Sequence, residues 1–152
     1  MAKSQAESLI KVVHELNMPV FWFWPNPDAG SDGTSNALRT HREENPDNQI
    51  RFFKNLEGAD FLKLLYHSKC LIGNSSVGIR ECSYLGIPVV NIGSRQNRRL
   101  RGKNVIDTDY DQENLRETIL KQVKHGHYPV ENLYGDGYAG IAIANVLVNA
   151  GI

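Results

Sequence analysis

The stretch Leu71-Ile72-Gly73-Asn74-Ser75-Ser76-Val77-Gly78-Ile79-Arg80-Glu81 passes from a short apolar strand through a small polar turn into the start of a helix. A helix start presents backbone N–H groups without intrahelical acceptors and the positive end of the peptide dipoles, so it suits a phosphate group. The dipole contributes only ~0.3–1 kcal/mol at an exposed site. The hydroxyls of Ser75 and Ser76, with a nearby arginine, would have to supply the rest. Glu81 stands five residues beyond Ser76, too far along to be an ordinary first-turn cap. A carboxylate beside a phosphate repels it unless it addresses the sugar that carries the phosphate. A ribose offers two adjacent hydroxyls that one carboxylate can accept from. The competing reading is plainer: Asn74, Ser75 and Ser76 cap a helix, and Glu81 pairs with Arg80 or another surface base. The turn is not the G-x-G-x-x-G fingerprint, and no G-x-x-x-x-G-K-[ST] loop is present. Gly93-Ser94-Arg95 follows the next apolar run, where an arginine fork can hold a diphosphate; the alternative is an exposed loop arginine. Arg98, Arg99 and Arg101 read as a solvated loop face. The five histidines show no metal-ligand spacing, so no metal is expected.

These groups act together only if a scaffold brings several strand ends side by side. Ala6, Leu9, Ile10, Val13 and Leu16 form an amphipathic helix stripe that Asn17 and Pro19 end. The aromatic run from Val20 to Trp24 reads as a buried strand. The turn-rich segment from Pro25 to Gly33 is a loop. Further helices are expected at about 35–44, 60–68, 76–85, 111–125 and 138–149. Further strands are expected at about 49–53, 70–72, 88–92 and 105–106, and Gly126 falls where a helix C-cap glycine belongs. Alternation of strands and helices predicts a Rossmann-like three-layer domain, a parallel sheet with helices on both faces. Ligands then bind beyond the carboxyl ends of the strands, where the serine turn and Arg95 lie. Such a domain normally opens with a strand, yet this chain opens with a helix. Either it starts that way or it lacks an N-terminal strand and whatever preceded it.

The chain has 152 residues, 41% hydrophobic and 22% charged, with 17 basic and 17 acidic side chains. That is the size of one globular domain, which needs no disulfide or metal to hold a core. Overall neutrality argues against a nucleic-acid footprint, and no apolar run reaches the ~18–20 residues of a membrane span. No signal segment is evident, and the two cysteines lie in apolar segments, so a reduced, cytoplasmic setting is expected. Charge is unevenly distributed. Residues 80–103 hold six basic side chains and one acid, whereas 107–136 hold seven acids and three bases. Two solvated faces of opposite sign explain this as readily as an anion site in the first stretch.

The motifs taken together resemble the hydrolysing UDP-N-acetylglucosamine 2-epimerases, most closely the branch serving sialic-acid synthesis. They are Ile72-Gly73-Asn74-Ser75-Ser76-x-Gly78-x-Arg80-Glu81, then Gly86-x-Pro88-Val89-x-Asn91-x-Gly93-x-Arg95-Gln96, then Tyr134-Gly135-Asp136-Gly137. Asn26-x-Asp28-Ala29-Gly30-Ser31 also looks like that branch, and the resemblance runs from about Val20 to Val148. It implies the C-terminal half of a GT-B fold, a single UDP-sugar-binding domain over 1–152 with the N-terminal domain and the first strand absent. It further implies that Ser75 and Ser76 hold the UDP diphosphate and Glu81 the ribose hydroxyls. Arg95 would contact the diphosphate and assist departure of UDP, and Asn26 would face the nucleotide sugar. Backbone around Phe53 would hold the uracil, although the usual Pro-Phe pair is missing there. The acid and base carboxylates would lie in the absent N-terminal domain, and a histidine that follows the missing first strand is lost with it. The implied reaction eliminates UDP from UDP-N-acetylglucosamine and hydrates the product to N-acetylmannosamine, with no cofactor and no metal. The expected partners are UDP or its sugar, a missing N-terminal domain or a second copy, with no nucleic acid and no membrane. A stand-alone UDP-sugar-binding module and the donor half of a GT-B glycosyltransferase are the other readings.

Overall fold

A computed structural model describes residues 2–25, 31–46 and 49–150. Among these residues twelve elements follow one another, alternating up to α4: α1 (Ala2–Glu15), β1 (Val20–Phe23), α2 (Ser31–Glu44), β2 (Ile50–Phe53), α3 (Gly58–Tyr66), β3 (Leu71–Gly73), α4 (Ser76–Ile79), α5 (Glu81–Leu85), β4 (Val89–Ile92), β5 (Val105–Thr108), which follows β4 with no helix between, α6 (Gln112–His125) and α7 (Ala139–Asn149). Every strand pairing is parallel, as the alternation requires.

The strands form two ladders: β1 with β2, and β3–β4–β5 with β4 in the middle. All four residues of β4 are buried. Its side chains alternate between two cores, as a pleated strand demands. Val90 and Ile92 join Val12, Leu115 and Ile119 beneath α1 and α6. Val89 joins Leu65, Cys82 and Ile87 on the opposite face, beneath α3 and α5. The two ladders are linked by helices. On one face α1 sends Ala6 and Ile10 against α2 and the Trp22, Trp24 and Phe52 rings, and Val12 into the core of the larger ladder. On the other face Phe61 of α3 meets Phe23 of β1 edge-on at 5.3 Å. Because α1 serves both ladders, its buried arc is wider than a single stripe and includes Val12.

Three expectations need adjusting. The helix foreseen at 76–85 is two short pieces joined at Arg80, whose ψ of −69° departs from α4 geometry. The second helix begins at Ser31, not near 35; packing of Ala37 and Leu38 on α1 outweighs the poor helix propensity of Gly33 and Thr34. The last strand extends through Thr108 because register with Asn91 and Ile92 continues past the apolar pair. Gly86 closes α5 in the left-handed region at φ 68°. A Cβ there would lie 2.2 Å from the Tyr128 carbonyl oxygen, so only glycine lets the 126–134 segment pass. The final helix, α7, buries none of its residues, and Ile141, Ile143, Val146 and Val148 are each at least 60% exposed.

Candidate functional site

Parallel pairing of β3, β4 and β5 brings their carboxyl ends to one edge. The loops that follow meet there around a cavity of about 700 Å³, walled by Asn74, Ser94, Arg95, Asp107, Tyr110 and, from α1, Gln5, with neighbours from the same loops. The edge is the one where open parallel sheets bind ligands, and the volume is that of a small-molecule site. Arg95 is exposed on the cavity wall. Burial of the Tyr110 ring raises its phenol above the usual value, so the ring is a neutral wall at physiological pH.

The serine turn adjoins the cavity through Asn74. Ser75 is the N-cap of α4, and its Oγ accepts from the Val77 N–H at 3.3 Å. Ser76 is the first residue of the same helix and is half-buried. With only four residues, α4 offers local N–H donors at its start, not a long dipole. Gly78 lets this turn sit close on the sheet, since a Cβ there would come 2.9 Å from the Val89 side chain. Glu81 opens α5, with Oε1 3.3 Å from the Arg80 guanidinium and Oε2 buried without a hydrogen-bond partner among the described residues. Ser75, Ser76, Glu81 and Phe53 do not wall the cavity. Phe53 belongs to the smaller ladder, half-buried against Phe21 and Phe23 at ring separations of 5.6 and 5.9 Å. Asn26 lies outside the described residues.

One reading fails. Arg101 was expected on a solvated face with Arg98 and Arg99, which are exposed. Its side chain is instead only 19% exposed. One guanidinium nitrogen pairs with Asp107 Oδ2, and the other donates to the Gln96 carbonyl at 2.7 Å. Gln96 is itself buried, and its Nε2 donates to the Asn74 carbonyl at 2.7 Å. Asp107 Oδ1 accepts from Asn91 Nδ2 at 2.6 Å. The loops after β3 and β4 are therefore cross-linked to each other and to Asp107 of β5 beside the cavity. A signal for this was present in the sequence. Asn91 is a polar residue in an otherwise apolar, fully buried strand, and such a group must find a partner. Another buried amide, Gln122 of α6, donates to the Val89 and Asn104 carbonyls at 2.8 Å each and accepts from the Tyr128 hydroxyl at 2.7 Å.

Chemistry of other kinds finds no support in the described residues. No group of three or more metal-ligating side chains assembles. Burial pushes the Cys70 and Cys82 thiols up to about 12, which makes poor nucleophiles of them. His41 and His14 meet ring to ring at 5.2 Å, away from the cavity wall, and burial lowers the His41 pKa. Among the described residues no helix is long and apolar enough to cross a membrane.

Helices on both faces of parallel strands, with a cavity at the carboxyl edge, define a Rossmann-like α/β domain. The family model described as UDP-N-acetylglucosamine 2-epimerase matches residues 1–148, and the chain belongs to that family. It is 29% identical to the UDP-N-acetylglucosamine 2-epimerase of Neisseria meningitidis serogroup B, over 87% of this chain and 34% of that protein. It is 33% identical to the UDP-N,N'-diacetylbacillosamine 2-epimerase (hydrolyzing) of Legionella pneumophila, over 89% of this chain and 35% of the relative. The polysialic acid biosynthesis protein P7 of Escherichia coli is 34% identical over 67% of this chain and 24% of its own length. The chain thus spans about a third of the first two relatives.

Proposed function

We propose that residues 1–152 form the UDP-binding domain of a hydrolysing UDP-N-acetylglucosamine 2-epimerase, the C-terminal half of a GT-B arrangement acting in the cytoplasm with a second, N-terminal domain. The observation that carries this reading is the cavity at the carboxyl edge, with Arg95 on its wall and the Asn74–Ser76 turn beside it, in a chain of this family. Ser75 and Ser76 hold the diphosphate, Glu81 the ribose hydroxyls, Asn26 the nucleotide sugar, and the backbone near Phe53 the uracil. Arg95 stabilises the charge that gathers on departing UDP, a charge-assisted contact of the strong kind.

The reaction is an elimination followed by a hydration. A base takes the proton from C2 of the sugar, the C1–O bond to the β-phosphate breaks with its electron pair going to UDP, and a C1=C2 double bond forms. Water then adds its hydroxyl to C1 and a proton to C2 from the other face, which yields N-acetylmannosamine. General acid and base groups for both steps come from the partner domain. Titration calorimetry should show UDP binding to this chain with a Kd on the order of 10 μM to 1 mM, since half the cleft is missing. Absence of binding at millimolar UDP refutes the site. The chain alone should release no UDP from UDP-N-acetylglucosamine; release above a trace rate would place the acid and base groups within these residues. The alternative reading is a non-catalytic UDP-sugar module. That reading predicts that adding an N-terminal domain from a relative restores no turnover.

A further inference from the structure

We infer that Gln96, Arg101 and Asp107 are positioning residues, a clamp behind the cavity that aims the serine turn and Arg95 at a diphosphate. The inference rests on the UDP-binding reading above. It starts from the Asn74 carbonyl, which accepts from Gln96 Nε2 at 2.7 Å. Peptide units are planar, and no cis bond occurs among the described residues. In a trans unit the C=O and the following N–H point in opposite directions. Holding the Asn74 oxygen therefore fixes where the Ser75 N–H points, and that group opens the anion-binding turn.

Gln96 needs a fixed backbone to do this, and Arg101 provides it by donating to the Gln96 carbonyl at 2.7 Å. Arg101 is anchored in turn by Asp107, whose second oxygen is held by Asn91 of the buried central strand. Gln96 is 3% exposed, yet its Oε1 has no partner in the described structure. A buried orphan acceptor is a standing cost, retained here in a side chain whose Nε2 ties two loops together.

Charge gives the clamp a second role. Asp107 is on the cavity wall, where an unpaired carboxylate would repel a diphosphate. Arg101 cancels that charge without reaching for the ligand itself, while Asp109, also on the wall, accepts from the Asp111 N–H and Asn114, and Arg95 is a cation on the same wall. Removing Arg101 therefore does two things at once: it frees the turn and uncovers Asp107.

Arg101→Met, Asp107→Asn and the double variant separate these roles when each is titrated with UDP and with uridine. Hydrogen exchange of the 73–78 and 112–125 segments is followed in parallel. Arg101→Met should weaken UDP by about tenfold or more and leave uridine within about twofold, because the clamp serves the phosphates alone. Adding Asp107→Asn should recover part of that loss, since the uncovered charge is gone. Residues 73–78 should exchange faster in Arg101→Met, while 112–125 in α6 stay as in wild type. Equal losses for UDP and uridine, a double variant no better than Arg101→Met, or unchanged exchange at 73–78 overturns the clamp. Wild-type protein that binds no UDP refutes the functional reading instead, and the exchange comparison still decides whether the turn is held.

Discussion

Glu81 is where a ribose-binding carboxylate and an ordinary surface acid make the most different predictions. Its Oε1 lies 3.3 Å from Arg80, in a pair whose side chains are 49% and 35% exposed. An ion pair in that setting contributes at most ~1 kcal/mol. Oε2 is buried and without a hydrogen-bond partner among the described residues, so the carboxylate keeps an unused acceptor. Glu81→Gln keeps the shape, removes the charge and replaces one acceptor oxygen by a donor. If the carboxylate accepts from the two ribose hydroxyls, each charge-assisted bond is worth ~1.5–3 kcal/mol. Loss of one lowers UDP affinity about tenfold to a hundredfold. Folding should barely change, since the exposed pair shifts Tm by at most ~2–4 °C in a chain of this size. Calorimetry with UDP and with 2′,3′-dideoxy-UDP measures the difference directly. The dideoxy nucleotide should bind wild type and variant alike. A Glu81→Gln protein that binds UDP as tightly as wild type removes Glu81 from the site.

Three further outcomes follow from the packing. Gln122→Leu deletes three hydrogen bonds of a fully buried side chain and should cost about 3 kcal/mol or more, read as a lower urea midpoint; a change under ~1 kcal/mol would mean the amide is dispensable. Gly86→Ala meets a backbone oxygen at 2.2 Å in a left-handed conformation and should destabilise by at least ~1–2 kcal/mol, whereas Gly126→Ala, at φ 77° but with open space around its Cβ position, carries backbone strain without the clash and should cost less. Cys70 and Cys82, with pKa pushed to about 12 by burial, hold about one part in ten thousand as thiolate at pH 8. They should resist a disulfide reagent in the native protein and react at once in denaturant; rapid native labelling would show that the cores open.

Much of the scaffold was legible because apolar spacing is local. The Val20–Trp24 run, the α1 stripe and the strand–turn–helix at 71–81 announce themselves within ten residues, and the parallel class follows from their alternation; the run is a strand, but half-buried with Phe21 46% exposed and not the buried strand expected. What escaped was non-local. Arg101 looks in sequence like Arg98 and Arg99, and only register between β4 and β5 places Asp107 where it meets Arg101 and Asn91. The break at Arg80 has no residue such as proline to mark it. Val12 sits off the main stripe of α1 and is buried because the helix serves two ladders, a fact about the second ladder and not about the helix. At the site, residue types foretold the Ser75 cap and the Arg80–Glu81 pair as readily as an anion cradle, since both uses draw on the same groups.

The division of the strands into two ladders makes cohesion between the halves a matter of temperature. Within each ladder, backbone hydrogen bonds hold strand to strand. Between the ladders no such bonds run among the described residues. The join is made by Ala6, Ile10 and Val12 of α1 and by the Phe23–Phe61 contact. Apolar burial loses driving force on cooling, because its free energy is entropic near room temperature. The seam between the ladders therefore loses strength on cooling more than the backbone pairing within each ladder does.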